Sequence, residues 1–250
     1  MKFSVVFIKH IIPCLLFFSA SVSADTLRVA VASNFAKTFS QLAQKFESSS
    51  GHKLKLIFGS TGKHYAQIIN GAPFDVFFAA DSKRPLLLEQ QGFAITKTRF
   101  TYAVGKIILW SPRENYFDNT ASILSSNKFR RLAIASPKLA PYGIAAQQVL
   151  KDRGLWSSLT SRMVRGENIA QTYQFIKSGN AELGFVALAQ VKQANKPISG
   201  SFWRVPTTEY PPIKQQAVLL NDNIASRELL TFVRSKQALN IIHESGYDTP

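Results

Sequence analysis

Short apolar segments with strand character alternate along this chain with segments of helical periodicity, and this alternation restricts the fold more than any other feature. The predicted strands are 27–32, 53–58, 75–80, 106–110, 131–135, 183–188 and 216–220. Strand–helix alternation is typical of α/β folds, in which parallel strands receive ligands beyond their carboxyl ends. We therefore expect an α/β fold whose binding site is built from the loops that follow strands.

Helical periodicity is clear after the first predicted strand, where Phe35, Phe39, Leu42, Ala43 and Phe46 fall on one helical face. Further helices are predicted over 142–150, 169–176, 224–235 and 236–245. The sequence shows no internal repeat and no low-complexity linker. With 250 residues, the chain is long enough for one large domain or two modest domains.

Residues 1–24 have the pattern of a cleaved secretory signal. They contain Lys2 and Lys9, no acidic residue and an apolar run over 11–18, and they end in small residues with Ala24 last. The apolar run is too short to cross a membrane as a helix. We therefore predict a signal peptide that is cleaved after Ala24.

The single cysteine, Cys14, lies within this predicted signal. A lipid anchor at Cys14 is disfavoured, because Pro13 occupies the position where a small residue is expected. Export of a chain without disulfides fits a bacterial periplasm better than a small disulfide-stapled extracellular domain. No later segment approaches the roughly 20 consecutive apolar residues of a transmembrane helix.

The formal net charge is +15 at pH 7, which attracts anions to the surface in general. The basic residues are scattered, and the densest cluster is the short segment 128–131. A nucleic-acid interface would need the positive charge in a stripe or on one helix, with aromatic residues among it. The charge pattern therefore predicts no nucleic-acid partner.

The segment GSTGK at 59–63 joins a predicted strand to a helix, an arrangement by which many proteins bind phosphate groups. A Walker loop requires Gly where this chain has Ile57, and Ser or Thr where it has His64. A nucleophile elbow, G-x-S-x-G, also fails, because Ser60 directly follows Gly59. Two interpretations remain: an anion site made by N–H groups at a helix start, or an ordinary helix cap.

Small or hydroxyl-bearing residues and glycines stand at several places where a strand is followed by a predicted helix. These junctions are 33–34, 59–62, 141–143 and 165–168. One such junction is ordinary in any protein. Four in one chain favour a single site assembled from several loops.

Four segments, in their order and spacing, resemble the periplasmic molybdate-binding proteins of ABC transporters. They are AVASNF at 30–35, FGSTGKHYAQIINGAPFDVFFAAD at 58–81, SPKLAPYGIAAQQVL at 136–150 and GENIAQTYQFIKSGNAELGFVALAQV at 166–191. The resemblance runs from about residue 25 onward. It implies a periplasmic, non-enzymatic monomer without catalytic residues or cofactor, which binds molybdate or tungstate and delivers it to an inner-membrane ABC permease.

The resemblance also implies a type II periplasmic binding protein fold. This α/β fold has two hinged lobes, with mixed and mainly parallel sheets, that close on the ligand. Lobe 1 would comprise 25–104 plus 217–250, and lobe 2 would comprise 105–216.

The ligand contacts of the family correspond to neutral positions in this sequence. They are Ser33, Asn34, Ser60, Thr61, Tyr142 and Ile169. Each offers a backbone N–H, a side-chain hydroxyl or amide, or both. Some members bind the anion with a tyrosine at the position of Ala187, and we expect the Tyr142 hydroxyl to replace that donor here.

Neutral donors suit a fully deprotonated tetrahedral oxyanion, which offers only acceptors. Phosphate keeps a proton at neutral pH and would need an acceptor, and none of the six positions supplies one. Glu167 is the nearest acid in sequence, and we expect it to interact with its helix start. Sulfate shares the charge and shape of molybdate and differs in size, so sulfate or thiosulfate stays open as an alternative.

Two other classes of function are weaker. A ferric site would need paired tyrosines with acidic or histidine ligands, and the matched positions include only Tyr142. A secreted esterase or phosphatase would use Ser60 or Thr61, but no base is placed for either hydroxyl.

Three charged or titratable residues near these motifs are expected to lie at the surface. Lys63 is expected to be exposed, with steering of the anion as the alternative. His52 and His64 lack a partner at metal-ligand spacing, and we predict no metal site.

Overall fold

A computed structural model describes residues 25–193 and 196–249 of the chain. The predicted signal peptide, 1–24, lies outside the described residues, and so does Cys14. Within the described residues, no helix has both the length and the apolar character needed to cross a membrane.

The described residues form two five-stranded sheets with helices packed on them. The strands are β1 (Thr26–Ala32), β2 (Lys53–Gly59), β3 (Val76–Ala79), β4 (Phe100–Gly105), β5 (Ile107–Ser111), β6 (Leu132–Ala135), β7 (Met163–Gly166), β8 (Leu183–Ala187), β9 (Ser201–Arg204) and β10 (Ile213–Leu219). The helices are α1 (Ala36–Ser50), α2 (Thr61–Ile69), α3 (Lys83–Gln90), α4 (Pro141–Asp152), α5 (Trp156–Leu159), α6 (Ile169–Lys177), α7 (Leu188–Val191), α8 (Ile224–Val233) and α9 (Lys236–Glu244). A short 3-10 helix, Ser33–Phe35, lies between β1 and α1.

The first sheet has the strand order β2-β1-β3-β10-β4, and the second has the order β7-β6-β8-β5-β9. In the first sheet β1 is parallel to β2 and β3, and in the second β6 is parallel to β7 and β8. The pairings of β10 with β3 and β4, and of β5 with β8 and β9, are antiparallel. The predicted α/β class is confirmed, with parallel and antiparallel pairings in equal number rather than mainly parallel ones.

The antiparallel pairings involve the strands through which the chain passes between the two sheets. β4 of the first sheet leads through Lys106 directly into β5 of the second, and the chain returns from β9 to β10. β10 pairs with β4 from Ile213 onward. Residues 213–216, which the sequence analysis assigned to lobe 2, therefore belong to the first sheet.

Each sheet has its own apolar core, and these cores hold the helix starts in place. Phe39, Leu42 and Phe46 of α1 pack into the core of the first sheet, each at most 2% exposed. Ile134 of β6 and Val149 of α4 are fully buried in the core of the second sheet. Burial of each such side chain contributes about 1.5–3 kcal/mol. The cores thus fix α2, α4 and α6 with their N-termini beyond the ends of strands.

Candidate functional site

The strand-to-helix junctions predicted from sequence come together between the two sheets. They line a small cavity of ≈ 10 Å³. Its lining includes every predicted ligand residue, namely Ser33, Asn34, Ser60, Thr61, Tyr142 and Ile169. The first four come from loops of the first sheet, and the last two come from helix starts of the second.

The start of α2 leaves one backbone N–H without an acceptor. The Ser60 side chain caps the helix by accepting from Lys63 N at 3.3 Å. The N–H of Gly62 donates to the carbonyl of Leu139 at 2.8 Å. Among the described residues, the Thr61 N–H has no acceptor, and it lies at the positive end of the helix dipole. This N–H is therefore available to an anion in the cavity.

The start of α4 repeats this pattern with different residues. Pro141 occupies the first helical position and has no N–H to satisfy. Gly143 N donates to the Ala140 carbonyl at 2.9 Å, and so does Ile144 N at 3.2 Å. Within the part of the chain that the structure describes, the buried N–H of Tyr142 is left without an acceptor.

The start of α6 supplies a third free donor. The side chain of Asn168 caps the helix by accepting from Gln171 N at 3.0 Å. Ala170 N donates across the cavity to Ser33 Oγ at 3.4 Å. The Ile169 N–H therefore has no acceptor among residues 25–193 and 196–249.

Gln190 holds the start of α6 in position, and sequence reasoning missed it. Its Nε2 donates to the carbonyl of Ile169 at 3.0 Å, and its Oε1 accepts from Ala187 N at 2.9 Å. The side chain thus ties the end of β8 to the first residue of α6. A glutamine three residues after the end of a strand gives no clear local signal of such a role.

The 3-10 helix after β1 contributes Ser33 and Asn34. It begins without a side-chain cap, and within the described part of the chain neither the Ser33 N–H nor the Asn34 N–H has an acceptor. Both residues line the cavity. The Asn34 side-chain amide is already used, because Nδ2 donates to Gln215 Oε1 at 2.8 Å and to the Tyr247 hydroxyl at 3.2 Å. The sequence left open whether Asn34 would contact the anion through its side-chain amide or its backbone N–H. Because the amide is engaged, the prediction is now restricted to the backbone N–H.

Three hydroxyl groups at the cavity accept a backbone hydrogen bond and keep their own proton. Thr61 Oγ1 accepts from Ala80 N at 3.0 Å, Ser60 Oγ from Lys63 N, and Ser33 Oγ from Ala170 N. A serine or threonine hydroxyl has one proton and two lone pairs, and in each of these one lone pair is engaged. No hydrogen bond from any of the three hydroxyls to an acceptor occurs among the described residues. Each of the three hydroxyls therefore keeps a proton that it can donate.

The Tyr142 hydroxyl lies deep between the two sheets, and its side chain is 1% exposed. It accepts from Gln215 Nε2 at 3.4 Å. Burial raises the pKa of this hydroxyl well above its usual value, with smaller contributions from Tyr247 and Tyr102, so it stays protonated. Gly105 makes the position possible, because a Cβ there would lie 2.2 Å from the Tyr142 hydroxyl oxygen.

Two hydrogen bonds and an ion pair join loops of the first sheet to loops of the second beside the cavity. Besides the bonds from Gly62 to Leu139 and from Ala170 to Ser33, Lys63 Nζ pairs with Glu167 Oε1 at 2.9 Å. The Lys63 and Glu167 side chains are 54% and 41% exposed, as expected for Lys63. The Glu167 carboxylate is thus paired with Lys63 rather than with the start of α6, and Glu167 is not among the residues that line the cavity.

The prediction that His52 and His64 lie at the surface was wrong, because both side chains are buried. His52 is 4% exposed and its Nε2 lies 3.2 Å from a carboxylate oxygen of Glu228. His64 is 2% exposed, with ring nitrogens 3.2 Å from the Val31 carbonyl and 3.1 Å from Gln67 Oε1. Burial lowers the pKa of His64.

These contacts also show whether a histidine could act as a base for a hydroxyl or as a metal ligand at the site. The ring nitrogens of His64 bond Val31 and Gln67 rather than the hydroxyl of Ser60 or Thr61. Across the described ranges, no group of three or more His, Cys, Asp or Glu side chains is placed to hold a metal ion. The geometry provides hydrogen-bond donors around a small space.

Comparison with known proteins places the chain beside bacterial solute-binding proteins. A family model described as bacterial extracellular solute-binding protein matches residues 27–248. The molybdate-binding protein ModA of Azotobacter vinelandii is 46% identical over 232 residues, which cover 92% of each chain. ModA of Rhodobacter capsulatus is 40% identical over 230 residues, covering 91% of this chain and 90% of that one.

The fold agrees with the sequence comparison. The solved structure of the Azotobacter vinelandii periplasmic molybdate-binding protein superposes with a TM-score of 0.87 and 43% identity, covering 90% of this chain and 99% of the other. Identity at this level over nearly the whole described chain shows common family membership. The chain belongs to the bacterial extracellular solute-binding proteins.

Proposed function

We propose that this protein captures molybdate and tungstate in the periplasm and delivers them to an inner-membrane ABC importer. The observation that carries the proposal is a cavity surrounded by neutral donors. Backbone N–H groups of Ser33, Asn34, Thr61, Tyr142 and Ile169 are available there, together with the side-chain hydroxyls of Ser33, Ser60 and Thr61.

A donor-only shell suits a tetrahedral dianion without protons. Each oxygen of molybdate accepts hydrogen bonds and donates none, so every contact in such a shell is favourable. Phosphate at neutral pH carries a proton that needs an acceptor, and the side chains lining the cavity include no carboxylate. Helix dipoles at α2, α4 and α6 add favourable positive potential.

The choice of molybdate over sulfate is supported by the relatives. The two proteins that are 46% and 40% identical to this chain are molybdate-binding proteins. Sulfate has the same charge and shape but is smaller, so a shell spaced for molybdate holds it less well. Tungstate is nearly the size of molybdate, so we expect similar binding of both.

We further propose that a lobe built on the first sheet (25–104 plus 213–250) and a lobe built on the second sheet (105–212) close as a hinged pair around the anion. The contacts of Lys63 with Glu167 and of Gly62 with Leu139 support a closed form. The working protein would be a monomer, released after cleavage of the signal peptide at Ala24.

A thermal-shift series on the purified exported chain tests the proposed function. Molybdate or tungstate at about 100 times its Kd should stabilise the folded state by about 2.7 kcal/mol, which corresponds to roughly 5–10 °C. Sulfate and phosphate at the same concentration should give much smaller shifts, and sodium chloride at matched ionic strength is the control. An equal shift with sulfate would refute the molybdate assignment.

A further inference from the structure

We propose that Gln215 determines which protonation form of an oxyanion the site accepts, by holding the Tyr142 hydroxyl as a donor to the ligand. This inference rests on the proposed function and names a positioning residue for it. Gln215 is fully buried in β10 of the first sheet, and it contacts α4 of the second sheet through Tyr142.

The chain of hydrogen bonds begins at Tyr247. Its hydroxyl has one proton, and it donates that proton to the backbone carbonyl of Asn34 at 2.8 Å. The Tyr247 oxygen lies 3.2 Å from the Asn34 side-chain amide, so the amide group facing it must be the NH₂. An oxygen there would place two acceptors together. Tyr247 therefore fixes the orientation of the Asn34 amide.

The Asn34 amide in turn fixes Gln215. Asn34 Nδ2 donates to Gln215 Oε1 at 2.8 Å, and the Tyr102 hydroxyl lies 3.1 Å from the same oxygen. A flipped Gln215 amide would bring two NH₂ groups within 2.8 Å of each other. The Gln215 NH₂ group must therefore face Tyr142, as it does at 3.4 Å.

At the end of this series of hydrogen bonds, the Tyr142 hydroxyl oxygen accepts from Gln215, and the hydroxyl proton remains available for donation. Among the described residues, no acceptor receives that proton. Tyr142 is one of the residues that line the cavity, and a deprotonated oxyanion bound there would be the acceptor. An oxyanion that carries a proton needs an acceptor, and Gln215 already occupies the one that Tyr142 could offer.

The backbone at Gly105 preserves this arrangement. A Cβ on Gly105 would lie 2.2 Å from the Tyr142 oxygen and 2.8 Å from Gln215 Nε2. Both groups would have to move. The absence of a side chain at this position therefore keeps the Tyr142–Gln215 contact in place.

Two substitutions release the Tyr142 oxygen in different ways. In Gln215→Glu, the carboxylate can still accept from Asn34, but it now also accepts from Tyr142 and reverses that hydrogen bond. In Gln215→Met, the neutral side chain of similar length makes no hydrogen bond to Tyr142. In both variants the Tyr142 oxygen becomes free to accept from a protonated anion.

Isothermal titration of molybdate and of inorganic phosphate at about pH 7 measures the effect. We expect either variant to reduce the preference for molybdate over phosphate by about tenfold or more, the worth of one hydrogen bond to a charged group. Gln216→Glu is the matched control for added negative charge, because its side chain instead contacts Arg99 and Thr101. That variant should keep the wild-type preference.

Tyr142→Phe separates positioning from a general structural role. If Gln215 acts through the Tyr142 hydroxyl, Gln215→Met added to Tyr142→Phe should leave the molybdate-to-phosphate preference unchanged. The inference is overturned if both Gln215 variants weaken the two anions by the same factor, or if the loss of preference persists without the hydroxyl. Absence of molybdate binding in the wild type would instead overturn the proposed function itself.

Discussion

Thr61→Ala tests whether a single hydroxyl serves both the fold and the ligand. In the folded protein, Thr61 Oγ1 accepts from the backbone N–H of Ala80 at 3.0 Å, and Thr61 is 1% exposed. Alanine leaves that buried N–H without a partner, which costs about 1–3 kcal/mol. Urea unfolding of the ligand-free variant should therefore show a loss of stability in this range.

The same substitution removes a donor to the anion. A hydrogen bond to a charged group contributes about 1.5–3 kcal/mol, so the Kd for molybdate should rise roughly 10- to 150-fold. Calorimetric titration at a temperature well below the melting point of Thr61→Ala measures this rise on folded protein. The two losses are separate, because one concerns the oxygen of the hydroxyl and the other its proton.

Thr61→Ser and Thr61→Val are the matched controls. Serine keeps both roles of the hydroxyl, so we expect nearly wild-type stability and affinity. Valine has the shape of threonine without the hydroxyl, so it should lose both without leaving a cavity. Wild-type affinity in Thr61→Ala, combined with lowered stability, would refute the reasoning and assign the donor to Ser60 instead.

Two further predictions concern Tyr142 and His64. Tyr142→Phe should weaken molybdate binding by about 1.5–3 kcal/mol in calorimetry; a silent Tyr142→Phe with a weakened Tyr142→Ala would mean that only the ring matters. Burial lowers the pKa of His64 below its unfolded value of 6.5, so the unfolded state binds more protons. The His64 contribution to stability should be complete above about pH 6.5 and decline as the pH falls toward the folded pKa. Urea unfolding across this range should show a smaller slope for His64→Gln, while His243→Gln, at an exposed position, should match the wild type; an unchanged slope in His64→Gln would contradict the argument.

The strands that sequence reasoning missed share one position in the fold. β4, β7 and β9 are all at sheet edges. An edge strand has partly exposed residues, as in β7 with Met163, Val164 and Arg165, so it lacks the continuous apolar run of a buried strand. β2 is also an edge strand, but its alternating Lys and apolar residues gave a periodic signal. Strand prediction therefore failed where burial on both faces is absent.

The locations of the site residues were predictable because their signals are local. A helix start with small and hydroxyl residues is visible within a few positions, and the junctions 59–62, 141–143 and 165–168 were each found in this way. The individual ligand positions, Ile169 among them, came from the family resemblance. Whether they bind the anion stays a prediction. The burial of His52 and His64 has no such local signal. It depends on partners such as Glu228, which is distant in sequence.

Gln215 shows why selectivity is harder to predict than the location of a site. Its hydrogen-bond partners Asn34, Tyr102 and Tyr142 lie 181, 113 and 73 residues away in sequence. They meet only because the chain returns from the second sheet to the first through β10. A backbone N–H at a helix start is a donor in any surroundings. A hydroxyl can donate or accept, and its neighbours decide which it does. The contacts that a fixed backbone N–H can make follow from local sequence, but the direction of a hydroxyl's hydrogen bond follows only from the assembled fold.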